Sequence, residues 1–499
     1  MKSCSVHWVI APDMTASPLF EIRGLNCRIS ARHQLVVDSF KVEPGQHWCL
    51  FGGNGAGKSL LASLFSGRLM LARSRIQYAT GFDPLHDIQV VSFEEQQRLW
   101  QSETRHDVSE FSESASDPGT TVAKLVTGRD TDDCLAGEFL QRLDIKNLAD
   151  RGIRFLSSGQ IRRAMIAKAL YQKPKLLILD DPLASIDRQS AESIREILNQ
   201  YVQADNAMIL LARRQQDILT SATHIAVMDS LKLISSGERY VVEQLAAFRH
   251  IVNRQALVPE NLPALDERLP GVMNYRRADR TQALIKLDSV TAQYGSKVVF
   301  RNFSWQMDWG DHVLIEGPNG SGKSTLLGLI NGDNHMAYGQ AVTVFGQRRG
   351  SGESVWDIKQ RFGVVSNELH NRYIKGWRVL DVVVSGFFDT MGLYENTTAI
   401  QQESARQWLQ AFGLVGQGSC WYHELSFGQQ RMVLLARAMV KWPLILILDE
   451  PGVGLDDYYS DFLMAILEKI VHSGRTHIIY VSHTFDETPQ FINKRLSMS

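Results

Sequence analysis

Short apolar runs recur along the chain and predict strands that are buried inside a sheet. Trp48–Phe51 and Val313–Ile315 each lead into a glycine-rich stretch, and an apolar run that predicts a helix follows each stretch. Further along, the four residues directly before Asp180 and directly before Asp449 are all apolar. Runs of this length are typical of parallel strands that are covered on both faces. The pattern therefore predicts an α/β fold with polar side chains at strand ends.

The same motifs occur in the same order in both halves of the chain. Lys58 and Lys323 are 265 residues apart, and Asp180 and Asp449 are 269 residues apart. Three motifs that recur with nearly one period indicate a tandem duplication. The matched segments are FGGNGAGKS (51–59) and EGPNGSGKST (316–325), LSSGQIRR (156–163) and LSFGQQRM (425–432), and LLILDDP (176–182) and LILILDEP (444–451).

Length and composition fit a globular chain with more than one domain. Its 499 residues are 44% apolar and 21% charged, which excludes disordered and collagen-like classes. We expect a first domain at 1–250, a linker at 251–283 that contains three prolines, and a second domain at 284–499. The serine- and acid-rich segment 101–121 predicts a mobile surface loop, for which no function need be assumed.

Charge and cysteine content limit the classes of function and the cellular compartments that we expect for the chain. The 53 basic and 54 acidic residues give a net charge of -1, which argues against sequence-independent binding of nucleic acid. Five scattered cysteines without a C-x-x-C pair fit neither a zinc site nor a disulfide framework, so we expect a reducing compartment. No apolar run approaches the roughly 18 residues of a membrane span. We therefore expect a cytoplasmic protein, or one held peripherally at the inner face of the plasma membrane.

The glycine-rich stretches match the pattern G-x-x-x-x-G-K-[ST] between a strand and a helix. In such a loop the backbone N–H groups converge on phosphate oxygens, the lysine neutralises β/γ charge and the hydroxyl ligates Mg²⁺. Two matches at the repeat period make a chance glycine-rich turn an unlikely explanation. The predicted nucleotide-binding residues are Gly52, Asn54, Gly55, Gly57, Lys58 and Ser59, and in the second copy Gly317, Asn319, Gly320, Gly322, Lys323, Ser324 and Thr325.

Acidic residues follow the later buried strand of each copy. Ligands of α/β sheets bind at the carboxyl ends of parallel strands, so Asp180 and Asp449 are expected to hold Mg²⁺ together with the loop serines. The next residues, Asp181 and Glu450, can polarise an attacking water. The sequence therefore predicts an enzyme that uses ATP and Mg²⁺.

The motifs LSSGQ and LSFGQ, between phosphate loop and acidic strand, resemble the signature of ATP-binding-cassette (ABC) ATPases. The resemblance covers essentially the whole chain as two cassettes. It implies two P-loop domains in tandem, each with a mixed or parallel sheet and a helical subdomain, that pair head to tail. Each ATP would then lie between one phosphate loop and the other cassette's signature, whose helix N-terminus suits the γ-phosphate. The signature residues concerned are Ser157, Gly159, Gln160, Ser426, Gly428 and Gln429.

Three longer segments of the second copy, at 345–370, 384–395 and 421–431, resemble a narrower group of tandem cassette proteins associated with molybdenum transport. This resemblance implies molybdate as the transported substrate.

The two nucleotide sites are expected to differ. Tyr294 lies 29 residues before its loop lysine and can stack on adenine, whereas Ile29 lies at the same distance in the first copy. Glu450 is one methylene longer than Asp181 and is better able to orient water. We therefore expect hydrolysis in the second copy and slow turnover in the first.

Two further positions depart from the cassette pattern. The strand IIYVS ends at His483, a candidate catalytic residue that can relay hydrogen bonds, whereas the matching strand MILLA ends at Arg213, which can only donate. Where cassettes usually carry a glutamine, the chain has Phe93 and Asn367, and Gln96 and Gln97 lie near the first. Coupling to a conventional permease is therefore in doubt.

Three functions are compatible with these residues. The first is an ATPase that energises transport through a separate membrane permease or another protein partner. The second is a non-transport ABC protein that acts on ribosomes, nucleic acid or a repair complex, although the short linker lacks the charged helical arm of those that bind ribosomes. The third is a scaffold that binds ATP without hydrolysing it, which fits the first copy only.

Overall fold

The computed structural model describes residues 17–29, 33–69, 75–105, 119–129, 133–183, 188–202, 206–269, 280–295, 297–318, 320–373, 376–482 and 488–498. The chain divides into two compact units, Met1–Val252 and Asn253–Ser499. Among the described residues, no helix has the length and apolar character that would let it cross a membrane.

A mixed sheet forms the centre of the first unit. Its strands are β1 (Phe20–Arg28), β2 (Gln34–Val42), β3 (His47–Phe51), β4 (Ile76–Tyr78), β5 (Ile88–Val91), β6 (Leu176–Asp180), β7 (Ala207–Ala212), β8 (His224–Asp229) and β9 (Lys232–Glu238). They lie in the order β4-β1-β2-β9-β8-β3-β7-β6-β5, and the run from β8 to β5 is parallel. All of β7 is buried, and β6 is buried up to Asp180, which confirms the predicted buried strands.

Helices cover this sheet and form an additional layer beside it. They are α1 (Lys58–Phe65), α2 (Pro84–Asp87), α3 (Phe93–Arg105), α4 (Val122–Thr127), α5 (Cys134–Arg142), α6 (Ser158–Tyr171), α7 (Arg188–Val202), α8 (Arg239–Val242) and α9 (Ala246–Val252). Buried apolar side chains of α4, α5 and α6 form one cluster with β6 and β7. The cluster joins the helical layer to the neighbouring strands β5, β6 and β7.

The second unit divides its strands between two sheets. Its strands are β10 (Ile285–Tyr294), β11 (Lys297–Met307), β12 (Val313–Glu316), β13 (Ala341–Val344), β14 (Gln347–Arg348), β15 (Phe362–Val365), β16 (Ile445–Asp449), β17 (His477–Ser482) and β18 (Lys494–Ser497). An antiparallel sheet has the order β11-β10-β13-β14, and a parallel sheet has the order β15-β16-β17-β12-β18. The parallel order β15-β16-β17-β12 repeats β5-β6-β7-β3 of the first unit.

The helices of the second unit follow the same plan. They are α10 (Lys323–Asn331), α11 (Val355–Lys359), α12 (Asn367–Arg372), α13 (Val379–Val384), α14 (Ala399–Ala411), α15 (Phe427–Met439) and α16 (Asp457–His472). The largest apolar cluster of this unit joins α13, α14, α15 and α16 around Trp408 and Trp442. Each unit is thus a sheet core with a helical subdomain, as the sequence predicted.

The segment predicted as a linker has contacts of its own. Leu269 is only 3% exposed and belongs to the core cluster of the second unit. Ala256, Val258, Leu262 and Leu265 are partly buried against the same cluster. The stretch from 253 to 269 is therefore packed onto the second unit, whereas 270–279 lie outside the described residues.

The predicted loop at 101–121 begins later than expected, because α3 continues to Arg105. The Glu103 carboxylate accepts hydrogen bonds from the backbone N–H and the hydroxyl of Thr120, at 3.0 and 2.8 Å. This contact joins the two ends of the segment, and 106–118 lie outside the described residues.

Candidate functional site: two phosphate loops with different surroundings

Each phosphate loop curves around the side chain of its own lysine. The Lys58 ammonium donates hydrogen bonds to the carbonyl oxygens of Gly52 and Gly53, at 2.6 and 3.0 Å. Lys323 donates to two loop carbonyls in the same way, at 2.6 and 2.8 Å. Burial lowers the pKa of Lys323, and the nearby carboxylates at 449 and 450 oppose that shift. Each loop therefore holds a cation at its centre, where phosphate charge can be neutralised.

Glycine is required where each loop enters its helix. Gly57 has φ 99° and Gly322 has φ 95°, both in the left-handed region that side chains disfavour. A Cβ atom on Gly57 would lie 2.8 Å from the Leu231 side chain, and one on Gly322 would lie 2.5 Å from that of Val299. The backbone conformation and the close packing both explain the pattern that the sequence predicted.

The other predicted loop residues lie in the same two turns. Ser59 and Ser324 occupy the second helical position and are exposed. Asn319 lies outside the described residues. The remaining described members are Asn54, Gly55, Gly317, Gly320 and Thr325.

A serine and an aspartate meet beside the first loop. The Ser59 hydroxyl donates to a carboxylate oxygen of Asp180 at 2.5 Å. Asp180 ends β6 opposite Leu211, and Asp449 ends β16 opposite Val481, so the two aspartates have matching places in their sheets. Hydroxyl and carboxylate oxygens are the donors that Mg²⁺ prefers, and the ion usually keeps waters and substrate phosphates as its other ligands. The described residues contain no group of three or more His, Cys, Asp or Glu that could hold a metal ion.

The predicted catalytic acids have an unusual backbone conformation. Asp181 has φ 49° and Glu450 has φ 52°, which places both in the left-handed region. This conformation costs free energy for a residue with a side chain and is concentrated at functional sites. No pattern in the sequence indicates it.

In the first unit an arginine contacts the candidate acid. Arg213 follows β7 as residue 483 follows β17, since Leu211 pairs with Asp180 and Val481 pairs with Asp449. The Arg213 guanidinium lies 3.5 Å from the Asp181 carboxylate. His483 lies outside the described residues. In the first unit the positive charge of Arg213 thus lies beside the carboxylate of the candidate acid.

The candidate adenine position also differs between the units. Tyr294 is the last residue of β10, with 52% of its surface exposed, and its hydroxyl accepts a hydrogen bond from the Asn334 amide at 2.9 Å. Ile29 directly follows β1 and is 36% exposed. An exposed aromatic ring offers a stacking surface that the isoleucine lacks.

Both signature motifs begin a helix with a capping box. The Ser157 hydroxyl accepts from the backbone N–H of Gln160, whose side chain accepts from the Ser157 N–H, at the start of α6. Ser426 and Gln429 make the same pair of bonds at the start of α15. The serines are therefore held in place at helix N-termini that favour anions. Gly159 and Gly428 are buried in the first turn of these helices.

Gly428 lies against an aromatic ring. A Cβ atom on Gly428 would lie 2.2 Å from the ring of Tyr459 in α16. A side chain at that position would therefore force the Tyr459 ring to move.

Sequence reasoning missed two buried arginines. Arg162 and Arg431 each lie five residues after a signature serine, and they are 6% and 2% exposed. Arg162 donates to the backbone carbonyl of Asp181 at 2.5 Å, and Arg431 donates to the side chain of Asn367. Their recurrence in both copies is a signal that could have identified them.

Comparison with known proteins places both units in one family. The family described as ABC transporter matches residues 36–184 and 300–453. The chain is 33% identical over 471 residues to the ABC transporter ATP-binding protein ModF of Escherichia coli K12, and the match covers 94% of each protein. It is 26% identical to an uncharacterized ABC transporter ATP-binding protein of Schizosaccharomyces pombe, over 92% of this chain and 93% of that protein.

A solved structure shares the fold. A chain in the crystal structure of the complex of the archaeal ribosomal stalk protein aP1 with the archaeal ribosome recycling factor aABCE1 aligns with a TM-score of 0.50. The alignment covers 90% of this chain and 85% of that chain at 15% identity. Two family matches in one polypeptide, each around a phosphate loop and a signature helix, show that the chain belongs to the ABC transporter family, as a tandem ATP-binding protein.

Proposed function

We propose that the chain binds ATP with Mg²⁺ at both phosphate loops, hydrolyses it mainly in the second unit and energises transport through a separate partner. The observation that carries the asymmetric part is the ion pair between Arg213 and Asp181 in the first unit.

The oxygen donors support the assignment of Mg²⁺. Ser59 and Asp180 would hold the ion in the first unit, with Ser324 and Asp449 in the equivalent roles. The ion would supply charge neutralisation for the phosphate oxygens. Lys58 and Lys323 bind the phosphates from the centre of their loops. When phosphate binds, their ammonium groups would leave the loop carbonyl oxygens and contact phosphate oxygens instead.

Different surroundings of the two acids support unequal turnover. A general base must orient water with a carboxylate oxygen, and the carboxylate of Asp181 is engaged by Arg213. Asp181 is also one methylene shorter than Glu450. In the second unit the carboxylate of Glu450 lies 3.4 Å from the neutral amide of Asn367. The second unit therefore provides the better base.

Steady-state ATPase activity of single variants tests the asymmetry. We expect Glu450→Gln to remove most hydrolysis, and Asp181→Asn to change it by less than about twofold. Both variants replace one carboxylate oxygen by an amide nitrogen, so each removes the charge of its side chain and leaves the size almost unchanged. Nucleotide binding measured in parallel should remain in both. Equal losses of turnover would contradict the asymmetric model.

Transport is supported by similarity alone. The relative from Escherichia coli K12 is named as an ABC transporter ATP-binding protein, and the narrower sequence resemblance adds molybdate as the proposed substrate. The partner would be a permease, and the chain would act from the cytoplasm, peripherally at the inner face of the plasma membrane.

A second candidate is a non-transport role on ribosomes, nucleic acid or a repair complex. It is favoured by the replacement of the usual glutamine, because Phe93 and Asn367 occupy the position two residues after β5 and β15. Gentle purification of the chain from membrane and ribosome fractions, followed by identification of bound proteins, separates the two roles. A co-purifying permease supports transport, and recovery only with ribosomes or nucleic acid contradicts it.

A further inference from the structure

We propose that Arg431 is a positioning residue for Glu450. Arg431 acts through the side-chain amide of Asn367 and so links the signature helix of the second unit to the acid of the same unit. The inference rests on the proposed function, since it assigns a role to groups around the proposed base.

A chain of contacts connects the three side chains. Arg431 lies in α15 and donates one hydrogen bond to the side-chain oxygen of Asn367 and another, of 3.3 Å, to the Ser366 carbonyl. The Asn367 amide nitrogen donates in turn to a carboxylate oxygen of Glu450 at 3.4 Å. That distance is at the long end for a hydrogen bond, and catalytic contacts often tighten only when substrate binds. Asn367 thus has its oxygen directed to the cation and its nitrogen directed to the acid.

The arginine is held rigidly. Its side chain is 2% exposed and its guanidinium lies 5.3 Å from the centre of the Phe427 ring, within the signature motif. Burial lowers the pKa of Arg431 to about 10, and the charges of Tyr422, Glu450 and Asp449 oppose that shift. A planar guanidinium with two fixed bonds restricts the rotamer of Asn367, because rotation of the amide would direct its nitrogen at the cation.

The first unit contains the equivalent arginine with different partners. Arg162 donates to the backbone carbonyl of Asp181 at 2.5 Å and to the side-chain oxygen of Gln96 at 3.4 Å. The position of Asn367 is occupied by Phe93, which is 45% exposed and has no polar group to relay the contact. In the second unit the contacts therefore run from the arginine through a side-chain amide to the glutamate, whereas in the first unit the arginine binds the backbone of the acidic residue directly.

The connection has a mechanical consequence. Arg431 lies in the second turn of the helix that begins beside Ser426. A shift of that helix would move the guanidinium, and the amide and the carboxylate would follow it. The orientation of the base thus depends on the position of its own unit's signature helix.

Steady-state kinetics of the full-length chain tests the link with Asn367→Ala, Arg431→Met and the double variant. We expect each single variant to lower kcat by about tenfold while KM for ATP stays within about twofold, since orientation of the base affects the chemical step. Residues that act as one unit are not additive, so the double variant should be no slower than the slower single variant.

A buried arginine elsewhere on the same helix provides the matched control. Arg437 is 6% exposed and donates to the Tyr373 hydroxyl at 3.0 Å and to the Thr390 carbonyl at 3.0 Å, away from the site. We expect Arg437→Met to lower the unfolding midpoint while kcat is retained. An equal kcat loss in this control would overturn the inference, as would full activity of Asn367→Ala or losses that multiply in the double variant.

Failure of this inference is distinguishable from failure of the proposed function. Asn367 is only partly buried, so Asn367→Ala decides the matter even where Arg431→Met does not fold. Absence of ATP hydrolysis by the unmodified chain, or full activity of Glu450→Gln, would refute the proposed function. If Glu450→Gln lost ATP hydrolysis while Asn367→Ala kept a normal kcat, only the positioning role would be refuted.

Discussion

The ion pair between Arg213 and Asp181 makes a prediction about restoring hydrolysis in the first unit. The two charged groups are 3.5 Å apart, which at an effective dielectric constant of about 20 corresponds to a gross attraction of about 5 kcal/mol. The side chains are 22% and 15% exposed, so desolvation and screening reduce the net value to about 1 kcal/mol. Asp181→Glu alone would leave a longer acid still paired with the arginine.

We therefore expect both substitutions to be needed. In a Glu450→Gln background, where the second unit is slow, Asp181→Glu or Arg213→His alone should raise the ATPase rate by less than about threefold. The double substitution should raise it by about tenfold or more, equivalent to about 1.4 kcal/mol in the barrier. Steady-state release of phosphate at saturating ATP measures these rates. A full gain from Asp181→Glu alone would show that the arginine does not restrain the acid.

Three other predictions concern stability and use urea unfolding of the full chain. His312 accepts a backbone hydrogen bond from Ile478 at 3.2 Å, and burial lowers its pKa from 6.5 to about 4. The unfolded state then binds more protons below pH 6.5. With solvent screening of this partly exposed ring taken into account, the free energy of unfolding should fall by about 1 kcal/mol between pH 7 and pH 5, a loss that the His312→Asn variant does not show. Equal pH dependence of the two proteins would contradict this. Gly428→Ala should cost about 1 to 3 kcal/mol through the clash with Tyr459, and less in a Tyr459→Ala background. Leu269→Ala should cost about 2 to 5 kcal/mol because that side chain is buried, whereas an unpacked linker would show no change.

Much of the site could be predicted because its parts are local. A glycine with positive φ before a helix, a lysine that folds back on the loop and a serine that caps a helix each involve residues within a few positions of one another. The Gly57 and Gly322 conformations and the Ser157 and Ser426 caps agree with this short-range chemistry. Comparison of the two copies of the repeat also identified positions where they carry different residues, such as Tyr294 and Ile29. Tyr294 is exposed as stacking requires, although its ligand remains a prediction.

The sequence by itself determined the two units, their α/β class and the candidate phosphate and signature residues, since apolar runs, glycines and caps act over short distances. Only the tertiary structure decided which distant side chains meet. Arg213 reaches Asp181 because β6 and β7 are parallel neighbours in register, and Arg431 reaches Asn367 because its helix packs beside β15. Sheet order and register depend on the whole fold, so such pairs of charged groups leave no local pattern. The structure thereby added the contact between Arg213 and Asp181 to the sequence differences between the two units.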